Sequence, residues 1–238
     1  MGRAIMGRAI MGRTMTGLDR FDLSLGGRQV LHGVSLTPAR GEFLALCGPN
    51  GAGKTSILKA LAGLVPGAAQ TDPRRVAYLA QNAPPSWALT VGQIAALGRI
   101  PHRDTSETAV AAALRRCGIE ALRDARVDRI SGGEARRAML ARVFATEPEM
   151  FLLDEPTADL DPAASHAILR LLRETAEAGA AVVAVLHAVE LAAEYAHRVV
   201  LVDLGRIAAD LPAAEALSAA ARLFGMRAGV GPRLLPAL

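Results

Sequence analysis

Five short stretches of this chain are apolar at nearly every position: the runs within Glu42–Cys47, Val76–Leu79, Met150–Leu153, Ala181–Leu186 and Val199–Val202. Uninterrupted apolar runs of this length predict strands buried on both faces, the pattern of a parallel sheet covered by helices. The intervening segments change to helical spacing. Lys54–Leu64 carries Ile57, Leu58 and Leu61 on one face, and Gly132–Ala145 reads as a helix. Asp161–Pro162 is a strong start, an N-cap followed by proline at the first helical position, for a helix that runs to Ala178 and stops at Gly179. Residues from Pro84 to Asp128 read as helical, with breaks at Pro101 and Gly118. Arg198–Asp203 and Arg206–Ala209 form a hairpin through Leu204-Gly205, and Asp210 and Pro212 are expected to start a last helix. Strands alternating with helices predict an α/β fold with right-handed crossovers.

Composition narrows the function classes. At 238 residues and 51% hydrophobic content the chain can bury a sizeable core. Aromatic residues make up only 3%, which argues against a protein that stacks single-stranded bases. The net charge is +4, but Arg3, Arg8, Arg13 and Arg20 against Asp19 place +3 of it in the first 20 residues, so the body is close to neutral and gives no basic nucleic-acid footprint. Cys47 and Cys117 form no CxxC pair, and the pattern fits a reducing cytosol. No apolar run approaches the roughly 18 residues that span a bilayer. The start, MGRAI-MGRAI-MGRTM, is a near-repeat with no continuous apolar segment; it reads as a disordered tail over 1–17 or a misassigned start, with Met6, Met11 and Met15 as alternatives. Globular signals begin at Leu18, and 229–238 is expected to be a flexible tail.

Lysine is rare here, with two (Lys54 and Lys59) among 27 basic residues, and the first lies in a motif. Gly48-Pro49-Asn50-Gly51-Ala52-Gly53-Lys54-Thr55, followed by Ser56, fits GxxxxGK[ST] between a strand and a helix. Glycines there let backbone amides point inward around phosphates, and the helix start adds its positive dipole end. Lys54 reaches the β- and γ-phosphates and Thr55 offers its hydroxyl to Mg²⁺. Phe151-Leu152-Leu153-Asp154 is an apolar strand ending in a carboxylate suited to Mg²⁺, and Glu155 beside it suits a general base.

Ile130-Ser131-Gly132-Gly133-Glu134 then resembles the LSGGE signature of the ABC transporter ATPases, 23 residues ahead of Asp154. The rest of the order follows. Gln81 resembles the Q-loop glutamine, which contacts Mg²⁺ and water; Thr157–Asp161 resembles the D-loop, with Asp161 at the dimer interface and capping the next helix; His187 resembles the switch histidine on the γ-phosphate. The resemblance covers nearly all of Leu18–Phe224. It implies a P-loop NTPase core with a mostly parallel central sheet, an N-terminal antiparallel β region and an inserted helical subdomain over about 82–129, in one domain spanning 18–228.

By the same resemblance, Glu155, His187 and Gln81 are the catalytic candidates, and Thr55, Gln81 and Asp154 hold Mg²⁺. ATP would lie between two chains, each P-loop facing the partner's Ser131, Gly132 and Gly133, in a homodimer or pseudo-dimer. The helical subdomain would grip an integral membrane permease from the cytoplasmic side, with an extracytoplasmic substrate-binding protein in the same system and no nucleic acid. Ala96-Leu97-Gly98-Arg99-Ile100-Pro101-His102-Arg103 resembles a stretch of importer ATPases serving iron-siderophores, haem or vitamin B12. Two alternatives stay open: a soluble ABC ATPase acting on ribosomes or DNA, and a catalytically weak subunit paired with an active one. Three positions depart from the family pattern. Leu25 stands where an aromatic usually stacks on adenine, with Phe21 the nearest aromatic; Arg136 stands where a glutamine is frequent; Ala188 follows His187 where aspartate is common.

Overall fold

The computed structural model describes residues 16–81, 89–228 and 234–236. The expected tail and alternative starts lie outside these except for residues 16 and 17.

Two strands, β1 (Leu18–Leu25) and β2 (Arg28–Leu36), form an antiparallel ribbon joined at Gly26-Gly27, both in the left-handed region. The main sheet holds β3 (Phe43–Cys47), β4 (Val76–Leu79), β5 (Met150–Asp154), β6 (Ala181–Val185), β7 (Arg198–Asp203) and β8 (Arg206–Pro212) in the order β4-β5-β6-β3-β7-β8. All neighbours pair in parallel except β7 and β8. The α/β class, the parallel core and the antiparallel N-terminal strands are therefore as expected.

Every residue of β3, β5 and β6 is buried, and the pleat sorts them onto two cores. Phe43, Ala45 and Cys47 join one cluster with Leu114, Leu140, Phe144, Leu169 and Leu172 from the helices on that face. Leu44 and Leu46 join the other, with Ile57, Leu58 and Leu61 of α1 (Lys54–Leu61) and with Phe21, Leu31 and Leu36 of the ribbon. Burying each such leucine contributes about 1.5–3 kcal/mol, so the two layers fix the sheet between them.

The helical insert begins with α2 (Val91–Ala96), capped by Thr90 in a capping box with Gln93, and α3 (Glu107–Arg116), capped by Ser106. Both pack on α4 (Gly132–Ala145), so α4 belongs to the same packing unit. The insert is helical and is interrupted at the two expected places, Pro101 and Gly118, and again beyond them. Leu97–His102 is a 3-10 segment containing Pro101, Gly118 ends α3 at φ +63°, and Glu120–Leu122 and Val127–Arg129 are single 3-10 turns. Pro84 and its neighbours, residues 82–88, lie outside the described residues. Arg116 joins layers by lying 4.7 Å over the Phe144 ring and donating to Thr175 Oγ1 at 2.9 Å. Thr175 belongs to α5 (Pro162–Glu177), which is followed by α6 (Val189–Tyr195) and α7 (Ala216–Phe224).

One expectation is corrected. Asp210 and Pro212 do not start the last helix; both lie in β8, opposite Val200 and Arg198. Asp210 pairs with Arg198 (Oδ1–Nε 2.6 Å) instead of capping amides, and Pro212 is tolerated because it ends an edge strand. The helix begins at Ala216, after a 3-10 turn. Backbone pairing of β9 (Met226–Ala228) with β10 (Leu234–Pro236) is antiparallel.

Candidate functional site

The carboxyl ends of β3, β4, β5 and β6 open on one edge of the sheet, where ligands of open α/β sheets bind. The loop 48–53 follows β3. Gly48 has φ +149° and passes so close to β7 that a Cβ would lie 2.1 Å from the Val202 carbonyl oxygen. Gly53 has φ +106° and leads into α1 without a side-chain cap or an acidic residue in the first turn, whereas α2 to α5 all carry capping side chains. The first amides of α1 are therefore not occupied by a capping side chain, and anions are favoured there. The β7–β8 turn braces the loop: the Gly205 amide donates to the Ala52 carbonyl and the Gly205 carbonyl accepts from the His32 amide, both at 2.9 Å.

Lys54 is buried and its ammonium donates to the Gly48 and Pro49 carbonyls, each at 2.8 Å. Burial holds its pKa below the usual lysine range. Thr55 donates to Asp154 Oδ1 at 3.2 Å, and the Tyr78 hydroxyl stands 3.5 Å from Oδ2. Asp154 is fully buried, and burial raises its pKa above the ordinary carboxylate value. The same burial, with the Asp154 charge beside it, pushes the Tyr78 phenol up to about 12.

Glu155 begins the turn after β5 in a left-handed conformation, φ +52°. That conformation is uncommon for a side-chain-bearing residue. Its Oε1 accepts from Gln81 Nε2 at 2.8 Å and lies 2.6 Å from His187 Nε2, so three residues from the ends of β4, β5 and β6 meet at one oxygen. Together with Val30, Asn50, Gly51, Gly53, Lys54, Thr55 and Ser56 they line a cleft of about 460 Å³.

Ser131, Gly132 and Gly133 do not line this cleft. They open α4, with Ser131 and Gly132 exposed. Ser131 forms a capping box with Glu134, its amide and hydroxyl each donating to Glu134 Oε2 at 2.8 Å. Asp161 caps α5, accepting from the Ala164 amide at 2.8 Å. A Cβ on Gly133 would meet Leu160 Cδ2 at 3.2 Å, so the 131–133 and 157–161 segments are neighbours. Phe21 is buried in the core and offers no ring to a ligand, while Leu25 is exposed. Ala188 caps α6 with no side-chain bond.

Two residues at the site escaped sequence reading. Tyr78 looked like an ordinary strand residue. Arg136 was noticed only as a departure, although its place on the α4 stripe with Leu140 and Val143 put a charge at a core position. Its Nη1 donates to the Ala80 and Gln81 carbonyls, both at 3.2 Å, and its Nη2 to the carbonyls of Asp154 (2.6 Å) and Glu155. Among the described residues no group of three or more His, Cys, Asp or Glu side chains could hold a metal by itself. The adjacent Thr55 hydroxyl and Asp154 carboxylate are instead the sparse oxygen set that suits Mg²⁺ sharing a phosphate.

Comparisons with known proteins identify the family. Residues 31–158 match the ABC transporter family model. The hemin import ATP-binding protein HmuV of Rhodococcus jostii (strain RHA1) is 41% identical over 220 residues, covering 84% of this chain and 75% of that protein. Its counterpart in Streptomyces coelicolor is 44% identical over 211 residues, covering 80% and 75%. Among solved structures, an ATP-binding subunit of an ABC transporter superposes with TM-score 0.74 at 26% identity, covering 88% of this chain and 92% of that one. A dimeric ATP-binding cassette bound to ADP and phosphate, 21% identical with TM-score 0.72 over 83% of this chain and 98% of that one, shares the fold. The chain therefore belongs to the ABC transporter family and carries its ATP-binding, ATP-hydrolysing domain.

Proposed function

We propose that this chain is the ATPase subunit of an importer for haem or a related iron compound, bound peripherally to the cytoplasmic face of a membrane through permease subunits. The observation that carries the catalytic reading is the meeting of Gln81, Glu155 and His187 at one carboxylate oxygen beside Lys54 and the Thr55–Asp154 pair.

In this reading the amides of 48–56 wrap the phosphates, and Lys54 exchanges its loop carbonyls for β- and γ-phosphate oxygens. Thr55, Gln81 and Asp154 would hold Mg²⁺. Bound Mg²⁺ would neutralise charge developing on the phosphate oxygens. Glu155 accepts the proton of the water that attacks the γ-phosphorus, while His187 and Gln81 hold its carboxylate in place. Ser131, Gly132 and Gly133, which do not line this cleft, serve the nucleotide of a second chain, with Asp161 at the junction. Such an isologous dimer closes on ATP, and closure shifts population toward a state only the bound nucleotide stabilises.

The permease contact is proposed for a second cleft of about 570 Å³. It lies between the end of α1, β4, the 3-10 segment and α4, with Leu64 and Ile100 exposed at its rim. The haem assignment rests on the relatives' names and on the Ala96–Arg103 stretch. A substrate-binding protein outside the membrane would deliver the cargo.

The test is Glu155→Gln. It should abolish turnover while Mg-ATP drives the purified chain into a stable dimer on a sizing column. A variant that stays monomeric, with solubilised permease also present, would sink the sandwich. Haem uptake by vesicles holding the co-purified permease tests the cargo.

A further inference from the structure

We propose that Arg136 is a positioning residue for ATP hydrolysis: its guanidinium ties the signature helix to the two turns that carry Gln81 and Glu155. This rests on the catalytic reading above and adds a residue that the ATP-site motifs do not include.

The geometry is specific. Arg136 lies one turn into α4, the helix opened by Ser131, Gly132 and Gly133. From there it reaches four carbonyls on two segments: Ala80 and Gln81 beyond β4, Asp154 and Glu155 at the end of β5. β4 and β5 are adjacent parallel strands, so the guanidinium bridges the two chains where their own ladder ends. A guanidinium presents five N–H donors in a fixed plane; a glutamine side chain presents two. Only the former serves four acceptors at once.

The buried cation is not paired with a carboxylate among the described residues. Its contacts are carbonyl dipoles, and burial outweighs the fields of Asp154, Glu155 and Asp159. Its Nε is also buried, with no acceptor among the described residues. Burying the charge costs stability, and the four carbonyls it satisfies offset only part of that cost. What it secures is the backbone at Glu155. That residue is held at φ +52°, and its carbonyl is one of the four that Arg136 binds. The strained turn aims the Glu155 carboxylate at Gln81 and His187. Any displacement of the N-terminus of α4 therefore pulls on the base and on the Q-loop through the four carbonyls that the guanidinium holds.

The test uses the purified full-length chain, with active sites counted by a fluorescent ATP analogue so that losses of folded protein drop out. Arg136→Met should lower kcat roughly 10- to 100-fold, the scale of a misplacement near 1 Å, with KM for ATP within about threefold of wild type. Arg136→Lys keeps the stem and charge but concentrates its donors at one point, and should restore kcat only partly. If the methionine variant does not fold, the lysine variant carries the test, with kcat lowered at unchanged KM. Wild-type kcat in either folded variant overturns the proposal, as does a loss confined to KM. These results are separable from failure of the catalytic reading itself. A wild-type chain that neither hydrolyses ATP nor dimerises as Glu155→Gln removes both; an active wild type with indifferent Arg136 variants removes only this inference.

Discussion

Two buried arginines meet helix α4 in opposite surroundings, Arg99 packed at its C-terminal end and Arg136 within its first turns. At its C-terminal end Arg99 donates to Asp104 (2.7 and 2.8 Å), Glu147 (2.8 Å) and the Ala145 carbonyl (2.9 Å), and the hydrogen-bonded carboxylates hold its pKa above the usual value. His102 adds a 2.8 Å bond to the Thr146 carbonyl, so the stretch that resembles importer ATPases acts locally as a cap on α4. At the N-terminal end Arg136 meets carbonyls only among the described residues, and like Lys54 it is shifted down by burial. A buried cation whose charge is answered by carboxylates belongs to the scaffold. One answered only by dipoles sits where the protein manages a reaction or awaits an anion.

The comparison can be broken most sharply at Lys54. Lys54→Ala should reduce ATPase turnover by roughly 10²–10³-fold, the cost of losing a charge aimed at a developing anion. Because the ammonium is bonded only to its own loop, thermal unfolding without nucleotide should change little. Turnover within tenfold of wild type would erase the distinction.

Arg99→Met should act the other way, costing about 2 kcal/mol of stability in urea with turnover per folded molecule preserved. The figure is modest because Asp104 and Glu147 are partly exposed and regain water. Arg99 and the Ser106 amide hold Asp104 well below the usual carboxylate range. A depressed carboxylate contributes stability above its unfolded value, about 3.9, and loses it as pH falls through the folded one. The gap between wild type and Arg99→Met should therefore narrow below about pH 4; a gap independent of pH would mean the pairing is not its source.

Asp154 has the reverse sign. Burial raises its pKa, so its contribution is greatest at low pH and falls as pH rises from the unfolded value through the folded one. Asp154→Asn should raise the Tm of the nucleotide-free chain at pH 7.5 by about 2–4 °C while abolishing Mg²⁺-dependent turnover. A lower Tm would show that the Thr55 and Tyr78 contacts outweigh the burial of charge.

The smallest effect is expected at Leu25. With Phe21 locked in the core, no aromatic ring is supplied from this strand, and Leu25→Tyr should lower KM for ATP about threefold by stacking. An unchanged KM would place the base elsewhere.

Local patterns carried much of this protein. Unbroken apolar runs were enough for the parallel strands, because a residue buried on either face must be apolar whatever its neighbours are. The glycine loop, Asp154, Glu155 and the Asp161 cap were legible because phosphate cradles and helix ends are built from residues close in sequence. Asp210 and Pro212 misled for the same reason: locally they spell a helix start, and only pairing with β7 makes them an edge strand. Three things were decided by tertiary structure alone: the convergence of Gln81, Glu155 and His187 from three strand ends, the sorting of Phe21 into the core, and the span of Arg136 across β4 and β5. Each depends on which strands lie side by side. That order is set by packing helices onto both faces of the sheet, and no single segment of the chain contains it.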